Sequence, residues 1–189
     1  MKKLFLTAAA VFAFGFANAQ EVKFGAKAGL NMSDINGDNV SNSDSRLSFH
    51  VGGFAEIKLA DKFAIQPELV YSVQGTKFDT GGSDDLVYDL QYINLPVMFK
   101  YYVAEQFSLE AGPQVGFLTT AKLKLGDDSE DIKDSLKSTD FGFNLGAGYN
   151  FTENISASLR YNIGLSDIPD SDDADAKNSV LSLSVGYKF

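Results

Sequence analysis

The sequence has no cysteine among its 189 residues. This absence excludes disulfide bonds, thiolate metal sites and the lipid attachment site of a lipoprotein. The single histidine, His50, has no serine-nucleophile motif beside it. A hydrolase needs both a nucleophile and a base, so we predict no enzymatic activity and interpret His50 as a hydrogen-bonded interior side chain.

Long apolar runs are also scarce, because only the first nineteen residues contain one. Lys2 and Lys3 precede an apolar stretch from Leu4 to Phe16, and Ala17-Asn18-Ala19 provides a small-x-small cleavage site. A membrane-spanning helix needs about 20 apolar residues, so the stretch is typical of a cleaved secretory signal. We predict a signal peptide over 1–19 and a single mature domain over 20–189, starting at Gln20.

Positive charge is in short supply, with 16 basic against 25 acidic residues and a formal net charge of -9. Removing Lys2 and Lys3 makes the mature chain more negative, and nucleic acid would require a cationic surface. We therefore predict no nucleic-acid partner. Many acidic residues lie in four polar stretches, at 34–44, 79–85, 127–134 and 167–175.

The densest acidic stretch runs from Asp170 to Asp175. It lacks the glycine at position six and the glutamate at position twelve of an EF-hand loop, so we predict a solvated loop without a bound metal or cofactor. Bridging of Ca²⁺ between this loop and lipopolysaccharide phosphate remains an open alternative.

What the sequence has in abundance is alternation of apolar and polar residues with a period of two. In the first segment Phe24 and Leu30 fall on one face, while Lys27 and Asn31 fall on the other. Phe54 is an exception on a polar face. The pattern predicts eight strands, at 22–32, 47–59, 63–74, 93–103, 107–117, 141–151, 155–165 and 181–189.

The connections between these strands alternate in length. Three are short, at Ala60–Lys62, Ala104–Gln106 and Thr152–Asn154, whereas the other four are the acidic stretches. This asymmetry is typical of bacterial outer-membrane barrels. We predict an all-β fold, an eight-stranded antiparallel up-and-down transmembrane β-barrel with short periplasmic turns, long acidic extracellular loops and both termini in the periplasm.

A soluble barrel of lipocalin type is the alternative, with the apolar face lining a ligand cavity. Three features favour the membrane barrel. The strands have the length of a tilted membrane span, and glycines crowd the polar face. Aromatic residues near strand ends would form an interfacial girdle, namely Phe63, Tyr71, Tyr101, Phe107, Phe151, Tyr161 and Tyr187.

Charged side chains on the polar face would lie in the narrow lumen, where they must be paired or solvated. We predict that Lys27, Lys100 and Arg160 neutralise three glutamates and fill the lumen as a structural plug. A selective pore or a signalling relay is the alternative. The glutamates are Glu56, Glu68 and Glu110, and Lys23, Lys58 and Lys188 also map to the interior.

Four motifs occur in order along the chain. They are KAGLNMS at 27–33, QPELVYSVQG at 66–75, YINLPVMFKYY at 92–102 and GPQVGFL at 112–118. In these motifs the chain resembles the outer-membrane β-barrel domain widespread in Bacteroidetes, which includes PorT-like proteins. The resemblance covers the mature chain and implies insertion into the outer membrane of a Gram-negative bacterium from the periplasm.

The resemblance also implies partners. The terminal aromatic residues, Tyr187 and Phe189, would be the assembly signal read by the barrel-assembly machinery, and outer-membrane lipid would surround the barrel. Our leading hypothesis is a closed scaffold whose acidic loops mediate surface interactions or envelope integrity. A secretion-system component or a narrow solute pore is the alternative, and a lipid-modifying enzyme is disfavoured. The sequence identifies no specific extracellular partner.

Overall fold

A computed structural model describes residues 21–37, 43–78, 85–170 and 176–189. The predicted signal peptide, Gln20 and most of the Asp170–Asp175 stretch lie outside these residues. Within the described ranges no helix is long and apolar enough to cross a membrane. The elements are β1 (Val22–Asn36), β2 (Ser43–Ala60), β3 (Phe63–Phe78), β4 (Leu86–Tyr102), β5 (Phe107–Leu125), β6 (Asp128–Asp131), a 3₁₀ turn (Lys133–Ser135), β7 (Thr139–Asn150), β8 (Ile155–Gly164) and β9 (Lys177–Lys188).

Eight strands close into an antiparallel barrel, which confirms the predicted fold class. Each barrel strand pairs with the next along the chain, β5 pairs with β7, and β1 pairs with β9 to complete the circle. Closure gives every barrel strand a hydrogen-bonded neighbour on both sides, so none of the eight has an open edge. The short strand β6 pairs only with β5, as an addition to the barrel.

The two ends of the barrel differ. Short turns join β2 to β3, β4 to β5 and β7 to β8 at one end, which we call the short-turn end. β1, β3, β5 and β8 end at the opposite end of the barrel, which we call the long-loop end. The backbone N–H of Phe189 donates to Phe24 O at 2.9 Å, so the chain terminus is fixed at the short-turn end.

Apolar side chains cover the outside of the barrel. Phe24 is 63% exposed and Leu30 53%, whereas Lys27 is 7% exposed and Asn31 1%. A lipocalin-type barrel would place its apolar face inside, so this arrangement contradicts that alternative. Lipid tails are as apolar as these side chains, so their exposure in a bilayer carries no hydrophobic cost.

Phe54, the exception to the alternation, is buried as its polar-face position predicts. It lies opposite Gly25 in the pairing of β1 with β2. A Cβ atom at Gly25 would clash with the Phe54 ring. The glycine therefore opens the space that an inward aromatic ring needs in a narrow barrel.

The strands extend further at the long-loop end than the alternation predicted. Asp34 lies in β1, Asp44 lies in β2 and the 127–134 stretch contains β6, so parts of the predicted loops are paired strand. Alternation places Ile57 and Val73 on the outward, apolar face of their strands, and this prediction was wrong because both residues are buried. Register irregularities in β2 lie close to both residues, and such irregularities disturb the pleat on which simple alternation depends.

Candidate functional site

A row of buried ion pairs occupies the middle of the lumen. Seven of the eight barrel strands each contribute one charged side chain, and every one of these residues is less than a tenth exposed. The structure brings together all six residues of the predicted network and adds a seventh. We call this set the lumen network: Lys27, Glu56, Glu68, Lys100, Glu110, Arg160 and Lys188.

Arg160 lies at the centre of the lumen network. Its Nη1 atom donates to Glu68 Oε1 at 2.6 Å, and its Nε atom donates to Glu110 Oε2 at 2.8 Å. Lys27 Nζ contacts the other oxygen of Glu68 at 3.0 Å. One guanidinium therefore bridges two carboxylates, a geometry that a lysine ammonium reproduces poorly.

The row continues toward the short-turn end through Lys100. Its ammonium lies 3.3 Å from Glu110 Oε1 and 2.8 Å from Glu56 Oε2. Lys188 then contacts Glu56 Oε1 at 3.0 Å. Positive and negative groups thus alternate from Lys27 to Lys188, and each buried carboxylate lies between two cations.

Neutral side chains complete the hydrogen bonding of this row. Gln66 donates to Glu68 at 2.7 Å and accepts from Lys100 at 3.1 Å, and Asn150 accepts from Lys188 at 3.3 Å. Our prediction did not assign Gln66 and Asn150 to the network. Both lie on the inner face, so the same alternation identifies them as candidates.

The remaining barrel strand, β7, has no charged side chain in the lumen network, but its glycines leave room for the network. Gly146 and Gly148 lie on its inner face beside the charged row. A Cβ atom at Gly148 would lie 2.5 Å from Glu110 Oε1, and one at Gly146 would lie 2.7 Å from Arg160 Cγ. Two glycines on one strand therefore make room for the large ion pair formed by β5 and β8.

His50 lies above the network, toward the long-loop end. Its Nδ1 atom is 2.8 Å from Asn31 Oδ1 and its Nε2 atom is 2.8 Å from Ser184 Oγ. An amide oxygen only accepts hydrogen bonds, so Nδ1 carries a proton. Both ring nitrogens have partners, which is the arrangement of a structural histidine.

Open space in the lumen is unequally divided. A cavity of about 820 Å³ opens at the short-turn end, where Glu56, Lys188 and Tyr102 are among its lining residues. Beside the network, two cavities measure only about 20 and 40 Å³. A cavity measured with a water-sized probe needs roughly 10 to 15 Å³ to hold one water molecule. The network thus leaves room for isolated waters alongside it.

Two lysines assigned to the interior lie at the mouth of the barrel instead. Lys58 is exposed at the short-turn end, and Lys23 pairs with Glu21 at 3.0 Å while partly exposed. Strand ends protrude beyond the filled section, so their inward side chains reach water. The predicted assembly residues are both outward: Tyr187 is 51% and Phe189 76% exposed, with ring centroids 5.7 Å apart.

Among the described residues, net charge is concentrated at one end of the barrel. The described parts of the long-loop segments, at 33–37, 43–46, 74–78, 85–92, 118–140, 165–170 and 176–180, contain twelve acidic and seven basic residues. The other described residues contain seven of each sign. Within the described part of the chain, the barrel body is therefore formally neutral and the excess of negative charge lies at the long-loop end.

Among the described residues, no group of three or more His, Cys, Asp or Glu side chains could hold a metal ion. The lumen network itself combines four cations with three carboxylates.

Known structures share this architecture. The attachment invasion locus protein Ail of Yersinia pestis is 18% identical, with a TM-score of 0.58 and coverage of 89% of this chain and 99% of Ail. Neisserial surface protein A (NspA) is 15% identical, with a TM-score of 0.60 and coverage of 89% and 99%. At these identities the likeness concerns the fold. No curated protein matches the chain in sequence.

A family model matches residues 16–170, which include the first seven barrel strands and the whole lumen network except Lys188. The model describes the outer membrane protein β-barrel domain. The final strand, β9, lies beyond the matched residues and closes the barrel against β1. By this match and by its closed eight-stranded architecture, the chain belongs to the outer membrane protein β-barrel domain family.

Proposed function

We propose that this outer-membrane barrel is a closed scaffold that holds a strongly acidic surface at its long-loop end. The observation that carries the proposal is the separation of roles along the barrel axis. In the part of the chain that the structure describes, buried ion pairs fill a neutral body, and the excess of acidic residues lies at the end opposite Phe189.

The barrel body is suited to a fixed scaffold because its interior charges hold one another in place. Each glutamate of the lumen network contacts two cations at 3.3 Å or less. Breaking such a pair leaves an uncompensated charge in a site that water barely reaches. A rigid support of this kind presents loops in a constant arrangement.

A narrow solute pore is the alternative, and the lumen geometry argues against it. A pore needs a continuous aqueous path, but the cavities beside the network measure about 20 and 40 Å³. The PorT-like resemblance leaves a secretion-system component as a further hypothesis. Genomic neighbourhood beside secretion genes would favour that role.

Charge also indicates the kind of partner. Ail has been crystallised with sucrose octasulfate, a heparin analogue, and that structure has a TM-score of 0.56 at 18% identity to this chain. The acidic long-loop end described here would repel such a polyanion. We propose instead that the partners of this surface are cationic, opposite in charge to the ligand in that complex. With the long loops outside the cell, this surface would face the medium.

Binding of a cationic polymer tests the surface role. We expect polylysine to bind the barrel in nanodiscs of zwitterionic lipid, with an affinity that falls as salt is added. Replacing Asp127, Asp128 and Asp131 by Asn should weaken binding. The matched control replaces Asp61, Glu105 and Glu153 at the short-turn end by their amides and should not. Equal losses in the two variants would contradict a role specific to the long-loop end.

Conductance in planar bilayers tests the closed scaffold. The unmodified protein should show no steady single-channel current because the lumen network fills the barrel section. A large, stable conductance would overturn this part of the proposal and favour the pore.

A further inference from the structure

The inner face of the barrel changes chemistry toward the long-loop end. The inward-facing residues of β4, taken toward the long-loop end, are the polar Asn94, then Tyr92 and then Leu90. On β5 the inward row continues past Gly116 to Leu118 and Ala121. Leu90 and Ala121 have no exposed surface, and Tyr92 is 1% exposed. Above its polar middle, the lumen therefore contains an apolar layer.

Two segments beyond the barrel strands cover this layer. Ile168, which follows β8, belongs to the same buried cluster as Leu90 and Leu118. Ile132 and Leu136, between β6 and β7, pack against it. We call these covering segments, residues 132–138 and 165–170, the lid.

Backbone hydrogen bonds join the two halves of the lid. Lys137 N donates to Ile168 O at 2.8 Å, and Asp170 N donates to Ser135 O at 3.1 Å. Leu136 and Pro169 form an isolated antiparallel bridge between them. Ile132 N also donates to Ala121 O at 3.1 Å, which attaches the lid to β5. The lid is thus ordered by its own contacts.

A packed apolar layer opposes ion passage by a mechanism different from that of the lumen network. Leu90, Leu118, Ala121 and Ile168 offer an ion no polar atoms in exchange for lost water, which is costly. The polar groups beside them, the Tyr92 hydroxyl and the Asp140 carboxylate, both accept hydrogen bonds from the Asn178 amide. Between the two layers lies a polar section lined by residues such as Asn31, His50 and Ser72, with a cavity of about 40 Å³. The layers lie one above the other along the barrel axis, so an ion would have to pass both.

We propose that the lid is a second permeability seal in series with the lumen network. In this arrangement the cavity of about 820 Å³ opens at the short-turn end, and the two seals separate it from the long-loop end. This inference rests on the proposed closed scaffold and adds that neither seal alone determines closure. Loss of the network by itself would leave the barrel closed.

Single-channel recording on four proteins tests the series arrangement. They are the wild type, Arg160→Ala, Ile168→Asp and the double variant. We expect steady conductance from the double variant alone, at least tenfold above the current of either single variant. The control combines Arg160→Ala with Leu125→Asp, because Leu125 is 47% exposed at the end of β5 and outside the buried cluster. This control should remain closed.

The outcomes separate the two proposals. Conductance of the wild type would overturn the closed scaffold. A silent wild type with a conducting Arg160→Ala variant would keep the scaffold and overturn the lid as a seal. Conductance from Ile168→Asp alone, or silence of a folded double variant, would also overturn the series arrangement. Heat-modifiable migration on gels verifies folding in each case.

A chemical measurement avoids dependence on the double variant. The chain has no cysteine, so Ser72→Cys introduces a single thiol in the polar section. In nanodiscs this thiol should resist a membrane-impermeant reagent, and Ile168→Asp should increase its reaction rate at least tenfold. Leu125→Asp should leave the rate unchanged. Equal rates in the Ile168→Asp and Leu125→Asp backgrounds would refute the lid.

Discussion

At the scale of residues, Arg160 is the one guanidinium of the lumen network. It bridges Glu68 of β3 and Glu110 of β5, the two strands that flank β4, through charge-assisted hydrogen bonds of 2.6 and 2.8 Å. Such bonds are shorter and stronger than neutral ones. The pairing of these two carboxylates therefore depends on one guanidinium.

Replacing Arg160 by Ala should lower the free energy of unfolding by about 3 to 5 kcal/mol, because two buried carboxylates lose a partner. Urea titration of the folded barrel in lipid vesicles measures the change. Lys58→Ala, at an exposed position, is the control and should have little effect. If both variants unfold at the same urea concentration, the lumen network does not stabilise the barrel.

A second prediction at this scale concerns Gly148. An alanine there would place its Cβ atom 2.5 Å from Glu110 Oε1, so the ion pair with Arg160 would have to shift. Overpacking of this kind costs about 1 to 3 kcal/mol. Gly53→Ala is a matched control, since the nearest atom to its Cβ would be 3.6 Å away. The same urea titration should distinguish them, and equal stability would contradict the crowding argument.

At the scale of elements, each strand has a lipid face and a lumen face. Leu145 is 48% and Leu159 50% exposed, whereas their neighbours Asn144 and Arg160 are 5% and 6% exposed. The assignment is sensitive, since a shift of one residue would exchange the two faces. Register along β7 and β8 is therefore testable with few substitutions.

Leu145→Arg should destabilise the barrel by about 2 to 4 kcal/mol, as expected for a cation near the bilayer midplane. Spin labels at 145 and 159 should be accessible to oxygen dissolved in lipid, while labels at 144 and 160 should not. The reverse accessibility would show that the register is wrong.

The last strand supports a separate prediction about assembly. Phe189 is 76% exposed, and its backbone N–H donates a hydrogen bond to the carbonyl of Phe24, where β9 closes the barrel against β1. If its side chain is part of the assembly signal, deleting Phe189 or changing it to Ala should slow formation of the heat-modifiable form without changing synthesis. Phe151→Ala, another exposed aromatic at this end, is the control. Equal rates for both would leave Phe189 as an ordinary lipid-facing residue.

At the scale of the whole molecule, the distribution of charge and the strand topology distinguish the same two ends of the barrel. Phe189 lies at the short-turn end. Among the described residues, the excess of acidic side chains lies at the long-loop end. With the termini in the periplasm, the acidic end would project outward. This orientation depends on export of the chain.

A secretory signal is removed when the chain is exported, so the mature protein should begin at Gln20. Intact-mass analysis of protein isolated from membranes would show loss of residues 1–19. Ala19→Leu should block cleavage, because a large side chain does not suit the small-x-small site. Ala9→Leu, in the apolar stretch, should be processed normally. Retention of residues 1–19 in the unmodified membrane protein would contradict the export argument.

Alternation by itself determined the barrel and most of its faces. A strand's side chains point to opposite sides in turn, so the positions of Lys27, Glu68, Glu110 and Arg160 on one face followed from their spacing. The unequal connections likewise predicted two different ends. Both properties are local along the chain, and no knowledge of distant contacts is needed to find them.

Contacts between strands that are distant in sequence were decided only by the tertiary structure. The pairing of Lys188 with Glu56, the space left by Gly148 and the burial of Ile168 each depend on which strands face one another across the closed barrel. Alternation assigns a side chain to a face but does not specify its height or its partner. The lid could not be predicted because its residues follow no strand period, and their burial arises when two segments meet over the lumen.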